Sequence, residues 1–441
     1  MATIRPFAAM RYDGKKIPHL STVISQPYDR VRYGLQDQYY DLSPYNVVRI
    51  IKGRELPTDA PERREGPNVY TRARAYYDLW LAEGVLVQEE QPALYVYHQT
   101  YTVNGQDRTR KAFIAALQLS PFEEGTVLPH ERTHAGPKQD RLRLLRTTRV
   151  NLGQIFMLYP DPANQVSGLL DRAISRRAPD VDVVEMYEHD VRQELWVVTD
   201  GPTIQAVGQE MAGKRNLIIA DGHHRYETAL DYRGEMQAQY PSAPASAAFN
   251  YRMVALVGMD DPGLVILPTH REVYGLPEIP RAEIIHRVAP YCDLLDVPHL
   301  DACLAVMKTN ETRHAFGLYA DGCYTVLILK HPERIESWID EDRSLAWKSL
   351  DVSIAHKILL QRAIGLLAQE LDSEDHLRYH REPSLAVQNV DTRRGNFCLL
   401  LNPTPIDQVK ACAAQGERMP QKSTDFYPKM VTGLTMMPLQ P

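Results

Sequence analysis

A mixed α/β fold, with helices and strands in more than one lobe, is predicted for this chain by three observations. Short runs rich in Val, Ile, Tyr and Leu recur along it. Stretches of helical periodicity lie between several of them. The 441 residues, 44% of them hydrophobic, suffice for two or three cores, because one core stops growing near about 250–300 residues.

The first ninety residues carry two Pro-Tyr turns, Pro27-Tyr28-Asp29 and Pro44-Tyr45-Asn46, and one clear helix over 69–83 closed by Gly84. They read as a lobe or lid without a large core of its own, with a polar surface loop over 57–67. Strands are predicted at 93–103, 111–119, 155–159, 182–188, 195–199, 216–220, 251–258 and 264–274. Beyond about 280 the pattern changes to helices at 281–296, 301–309 and 350–366. A hairpin over 315–330 turns on Asp321-Gly322, and a final strand and helix fill 396–415. With a soft boundary near 276, the segments are 1–120, 121–275 and 276–441.

Lysine and arginine number 50 against 56 acidic residues, and the formal charge of -6 gives no electrostatic reason to seek nucleic acid or an anionic membrane. Any anion must therefore be held by a local pocket. Five cysteines without metal-like spacing suit a reducing compartment. No signal-like start is present and no apolar run approaches the roughly 20 residues of a membrane span, so a cytoplasmic location is expected.

Asn216-Leu-Ile-Ile-Ala220 reads as a buried strand that stops at Asp221-Gly222, after which helical periodicity resumes through Arg225, Tyr226, Ala229 and Leu230. Glycine between strand and helix permits close backbone approach, and amides at a helix N-terminus favour phosphate. Arg225 can hold phosphate oxygens bidentately, His223 or His224 can donate a hydrogen bond or proton, and Asp221 can bind magnesium or orient the turn. The plainer alternative makes Asp221 a helix cap, Gly222 a turn residue and the histidines solvated.

Between 125 and 151 ionisable residues are dense. A helix begun near Pro137 places Lys138, Arg141, Leu142, Leu145 and Arg149 on one stripe. Either its charges snorkel beside a buried stripe or they meet an anion at a pocket wall. Glu131 is a candidate general base with His130 beside it, against the alternative of a surface ion pair. His130-Glu131-Arg132-Thr133-His134 also spells the zinc-protease pattern His-Glu-x-x-His. Pro129 and Gly136-Pro137 limit any helix there to about one turn, too short for both histidines to share a metal.

The strand over 264–274 turns polar at Thr269-His270-Arg271, which either complete the pocket or close a strand edge against nearby acids. The segment 416–429 carries Lys422 and Lys429, able to reach a phosphate, and reads otherwise as an arm anchored by Phe426 and Tyr427.

Several of these motifs, in this order, resemble the bacterial and archaeal family called domain of unknown function 1015. They are Pro27-Tyr28-Asp29, Pro44-Tyr45-Asn46, Pro92-Ala-Leu-Tyr-Val-Tyr97, His130-Glu131-Arg132-Thr133, Asp221-Gly222-His223-His224-Arg225, Leu267-Pro-Thr-His-Arg271 and Met419-Pro-Gln-Lys-Ser-Thr424. The Asp221 to Arg225 turn alone is similar to the signature of ParB-like folds, including free serine kinases. That second resemblance implies a ParB-like nucleotide- and phosphate-binding core over 121–275 with added N- and C-terminal lobes. It also implies a turn that grips nucleotide phosphates with magnesium, while Glu131 has no motif match and is placed by chemistry. The larger family is associated with serine biosynthesis, and this chain exceeds the small kinases in length.

The expectation is phosphoryl transfer between a nucleotide, ADP or ATP with Mg2+, and a small hydroxylated metabolite such as L-serine, or the reverse phosphoserine reaction. Asp221, His223, His224, His130 and Glu131 would be catalytic, with Asp221 on the metal. Gly222, Arg225, Lys138, Arg141, Arg149, His270, Arg271 and Lys429 would bind phosphate or nucleotide. The rivals are a metal-dependent phosphohydrolase using the histidines as ligands and a ParB-like nucleotide-binding regulator without a metabolic substrate. Neither nucleic acid nor membrane is an expected partner, and a homo-oligomer is left open.

Overall fold

Strands Leu94–Val103 and Gln106–Gln118 turn back on each other through Asn104-Gly105, both at positive φ (51° and 70°), as a two-residue hairpin requires. They form the middle of a nine-stranded sheet. The computed structural model describes residues 1–32, 34–60, 66–131, 133, 135–372 and 376–439. The chain is mixed α/β and divides into two compact units. One comprises Met1–Pro129, Thr133–Val265 and Pro428–Pro441, and the other His130–Arg132 and Ile266–Tyr427.

In the first unit Val127–Leu128, Leu217–Asp221, Ile155–Tyr159, Tyr251–Gly258, Gln106–Gln118, Leu94–Val103, Glu188–Val198 and Val181–Glu185 lie side by side in that order. Ile4–Arg5 adds to Gln106–Gln118. Tyr251–Gly258 runs parallel to Ile155–Tyr159 and antiparallel to Gln106–Gln118. Helices Gln165–Ile174, Gly201–Ala212 and His223–Gln239 cover this sheet because each turns an apolar stripe inward. Val166, Leu170, Val207, Met211, Tyr226 and Ala229 meet Met157, Ile219, Val254 and Leu256 in one core. A second core joins Val47, Ile50, Tyr77 and Trp80 to Leu144, Leu152 and Met436, so the first ninety residues do own a core, shared with distant segments. Segments 1–120 and 121–275, expected to be separate, both feed the one sheet.

In the second unit an antiparallel sheet runs Cys292–Val297, Cys323–Leu329, Ala315–Ala320, Phe397–Leu400, His270–Val273, Leu377–His380. The Asp321-Gly322 hairpin forms as read, with φ of 50° and 74°. The helix predicted over 281–296 is corrected: it stops at Val288, and Cys292–Val297 is a strand. Pro290 has no N–H for the carbonyl four residues back, so the helix cannot pass it. Pro268-Thr269 likewise splits 264–274 into Val265–Leu267 and His270–Val273. The runs at 182–188 and 195–199 are one hairpin, Val181–Glu185 with Glu188–Val198. The helix over 350–366 widens into a π-helix over Ala355–Ile364, closed by Gly365 at φ 97°. Among the described residues no helix is long and apolar enough to cross a membrane.

Candidate anion site

The strand Leu217–Asp221 is buried on both faces except at its last residue, as its unbroken apolar run demands. Its pairing with Ile155–Tyr159 slips between Ile219↔Met157 and Asp221↔Phe156, an irregularity of the kind that re-aims a strand-end side chain. Gly222 follows at φ 99° and opens the helix His223–Gln239 with no side-chain cap. The reading of Asp221 as a helix cap is thereby corrected, since its carboxylate is directed elsewhere.

Arg225, one turn into the helix, folds back to place Nη2 2.5 Å from Asp221 Oδ2 and Nη1 2.6 Å from the Gln154 carbonyl oxygen. A Cβ on Gly222 would stand 2.9 Å from Arg225 Nε and Nη2, so the missing side chain makes room for this guanidinium. Lys429 Nζ lies 3.5 Å from the other oxygen, Asp221 Oδ1. Burial opposes ionisation of Asp221, but Lys429, Arg225, His223 and Arg30 outweigh it and hold the carboxyl well below the usual range.

Beside Arg225 lies a cavity of about 50 Å3 lined by Tyr28, Arg141, Leu144, Leu152, Gly153, Arg225, Arg252 and Thr432, among others. Among the described residues, three arginines and no acidic residue line it. Arg141, from the helix Ala135–Thr148, has Nε 2.7 Å from Asp140 Oδ2 and Nη1 2.7 Å from the Ile51 carbonyl oxygen. Its guanidinium lies 4.1 Å over the Tyr28 ring. Arg252 projects from Tyr251–Gly258 on the face that Val254 and Leu256 use for the core, and only 4% of it is exposed. Its Nη2 donates to the Gly153 carbonyl oxygen at 2.7 Å, and among the described residues its Nε has no hydrogen-bond partner. Among the described residues no carboxylate pairs with it. Burial first, and then the like charge of Arg225, push its pKa down to about 9. Burial and Asp29 raise the Tyr28 hydroxyl to about 12, against the pull of Arg141 and Arg225.

The structure thus brings together Asp221, Gly222, Arg225, Arg141 and Lys429 from the predicted set. His223 is buried at the start of the helix and His224, next to it, is half-buried. Lys138 is not among the cavity's lining residues; its ammonium sits 3.0 Å from Asp231 and 3.6 Å from Glu227 on the neighbouring helix. The expected stripe breaks at Arg149, which lies past the end of the helix Ala135–Thr148 at φ 55° and is exposed. His130, Glu131, His270 and Arg271 belong to the other unit. There His130 is fully buried with Nε2 2.8 Å from Thr424 Oγ1, and half-buried Glu131 lies 4.0 Å from its ring. His270 accepts from the Leu401 amide at 3.2 Å, and burial followed by Arg271 and His380 drives its pKa down to about 3. Arg271 donates to the Lys422 carbonyl oxygen at 3.0 Å and sits beside buried His356 at 3.3 Å, cementing that segment rather than pairing with an acid. Arg132, His134 and part of the 57–67 loop lie outside the described residues.

A resident Mg2+ on Asp221 does not fit the donor set. Both carboxylate oxygens face cations, and among the described residues no three His, Cys, Asp or Glu side chains gather around a common point. Sequence reasoning missed Arg252, Gly153 and Thr432, and took Tyr28 only as a turn residue. The available signal was a single arginine inside the apolar run 251–258, a residue type rarely buried without a partner.

No curated protein matches the sequence. A solved free serine kinase in complex with AMP is similar over 71% of this chain and 88% of its own, with 12% identity and a TM-score of 0.35. A C-terminally truncated SbnI from Staphylococcus aureus covers 73% of this chain and 87% of its own at 9% identity and TM-score 0.33. For a conserved hypothetical protein from Pyrococcus furiosus the values are 68%, 87%, 11% and 0.32. The family model described as protein of unknown function (DUF1015) matches residues 4–353, which include every motif named above except Met419 to Thr424. By that match the chain belongs to the DUF1015 family.

Proposed function

We propose that this chain is a phosphotransferase that moves a phosphoryl group between a nucleotide and a small hydroxylated metabolite, with L-serine the first acceptor to test. One observation carries the reading: Asp221, Arg225 and Lys429 meet at a strand end, next to a cavity lined by Arg141 and Arg252 and by no acid. Phosphoryl transfer asks little covalent chemistry of a protein and much charge neutralisation and positioning, which clustered guanidiniums supply.

In the forward direction the hydroxyl oxygen attacks the terminal phosphorus of the nucleotide. The bond from that phosphorus to the bridging oxygen breaks, and the nucleotide leaves one phosphate shorter. The hydroxyl proton passes to a general base. Magnesium would arrive with the nucleotide, whose charge it offsets.

The experiment is incubation of the full chain with ATP or ADP, magnesium and a panel of hydroxylated metabolites, read by 31P NMR. A new phosphomonoester with stoichiometric loss of the donor's terminal phosphate supports the reading, and no product across the panel overturns it.

A further inference from the structure

The cavity beside the turn has a size and a charge that narrow what it can hold. A water needs about 10–15 Å3 of such space, so about 50 Å3 accommodates some four oxygen-sized positions. That matches one tetrahedral oxyanion and is far too small for a nucleoside. The charge is equally particular. Arg225 and Arg141 already have acids, Asp221 and Asp140, outside the cavity, whereas Arg252 makes one hydrogen bond, to a carbonyl, and leaves its Nε unpartnered while 4% exposed. A buried guanidinium held without an acid costs stability unless a ligand supplies the missing charge. Leu144, Leu152 and the Tyr28 ring make much of the remaining wall apolar, which strengthens charge pairing inside.

We infer that this cavity is the binding subsite for the phosphate of a phosphomonoester, with Arg252 supplying the charge that selects a dianion and Arg225 and Arg141 flanking it. Its ligand is the phosphorylated metabolite, or inorganic phosphate, rather than the nucleotide's base and sugar. The inference rests on the phosphate-handling reading of Arg225 given above, and it assigns to Arg252 a role that no motif suggested.

The test is calorimetric titration of the full chain with inorganic phosphate, with O-phospho-L-serine and with adenosine, comparing the natural protein with Arg252→Gln and Arg252→Lys. The expected result is that Arg252→Gln weakens phosphate and phosphoserine about tenfold or more, while Arg252→Lys restores part of the loss. Adenosine, which offers base and sugar without a phosphate, should bind the variants within about twofold of the unaltered protein. Equal phosphate affinity in Arg252→Gln overturns the inference. Should that variant not fold, crystals of the unaltered chain grown with phosphate decide instead: an anion against the Arg252 guanidinium supports the subsite, and a phosphate-free cavity at saturating phosphate overturns it. If phosphate binds through Arg252 but no metabolite is phosphorylated, the subsite stands and the transferase reading falls. If turnover occurs with phosphate affinity indifferent to Arg252, the transferase reading stands and the subsite falls.

Discussion

Arg225 reaches back four residues to Asp221, Nη2 to Oδ2 at 2.5 Å, and does so across the bare α-carbon of Gly222. An ion pair at this spacing on an exposed helix contributes a few tenths of a kcal/mol, about 0.3–0.5. Here, half-enclosed and joined by Lys429 on the opposite oxygen, it fixes where the guanidinium stands beside the cavity.

Gly222→Ala combines a left-handed backbone at φ 99° with a Cβ 2.9 Å from the Arg225 guanidinium. The backbone alone costs about 1–2 kcal/mol, seen as a lower midpoint in denaturant. Because Arg225 must also move, phosphate affinity should fall further than stability does. A variant that binds phosphate as the unaltered chain does would show that the Arg225 position is unimportant.

Asp221→Asn should change the acid limb of stability. The carboxyl is held below its unfolded value of about 3.9, so its ionisation stabilises the fold above that pH and the contribution disappears as pH falls through the lower folded value. The difference between variant and unaltered chain should therefore be flat from about pH 5 to 8 and shrink below about pH 4. Chemical denaturation at a series of pH values checks this.

Arg141→Met and Lys138→Met separate two residues of one predicted stripe. Arg141 lines the cavity, so its loss should weaken phosphate about tenfold. Lys138 is engaged by Asp231 and Glu227, and its loss should leave phosphate affinity within about twofold while lowering stability by about 1 kcal/mol or less. Titration of both with inorganic phosphate is the measurement.

Tyr226→Phe probes the scaffold alone. The buried hydroxyl accepts from the Ser120 amide at 3.1 Å and donates to the Ser120 carbonyl oxygen at 2.9 Å. Its removal strands both groups and should cost about 1–3 kcal/mol in denaturant unfolding, with phosphate affinity unchanged.

The strand, turn and helix around Asp221 were legible because an apolar run, a glycine and a 3.6-residue period coincide there. The helix stop at Pro290 was legible in principle and was overridden by the apolar spacing beyond it, which the strand Cys292–Val297 shares with a helix over so short a stretch. Lys138, Arg141 and Arg149 could not be told apart by spacing, since only tertiary contacts decide which side chain meets Asp231, the cavity or solvent. Arg252 was hidden by its surroundings. A lone charge in a strand reads as pointing outward until its neighbours Val254 and Leu256 are known to face the core.

The pairing of Met437–Pro438 with Val150–Asn151 and the contact of Lys429 with Asp221 set a timetable for biosynthesis. A ribosome builds the chain from its first residue, so Ile266–Tyr427 is made before the last strand and lysine of the first unit exist. During translation the nascent first unit must wait with one cation of its carboxylate missing, so the anion cradle matures late and by long-range closure, the slow kind of folding step.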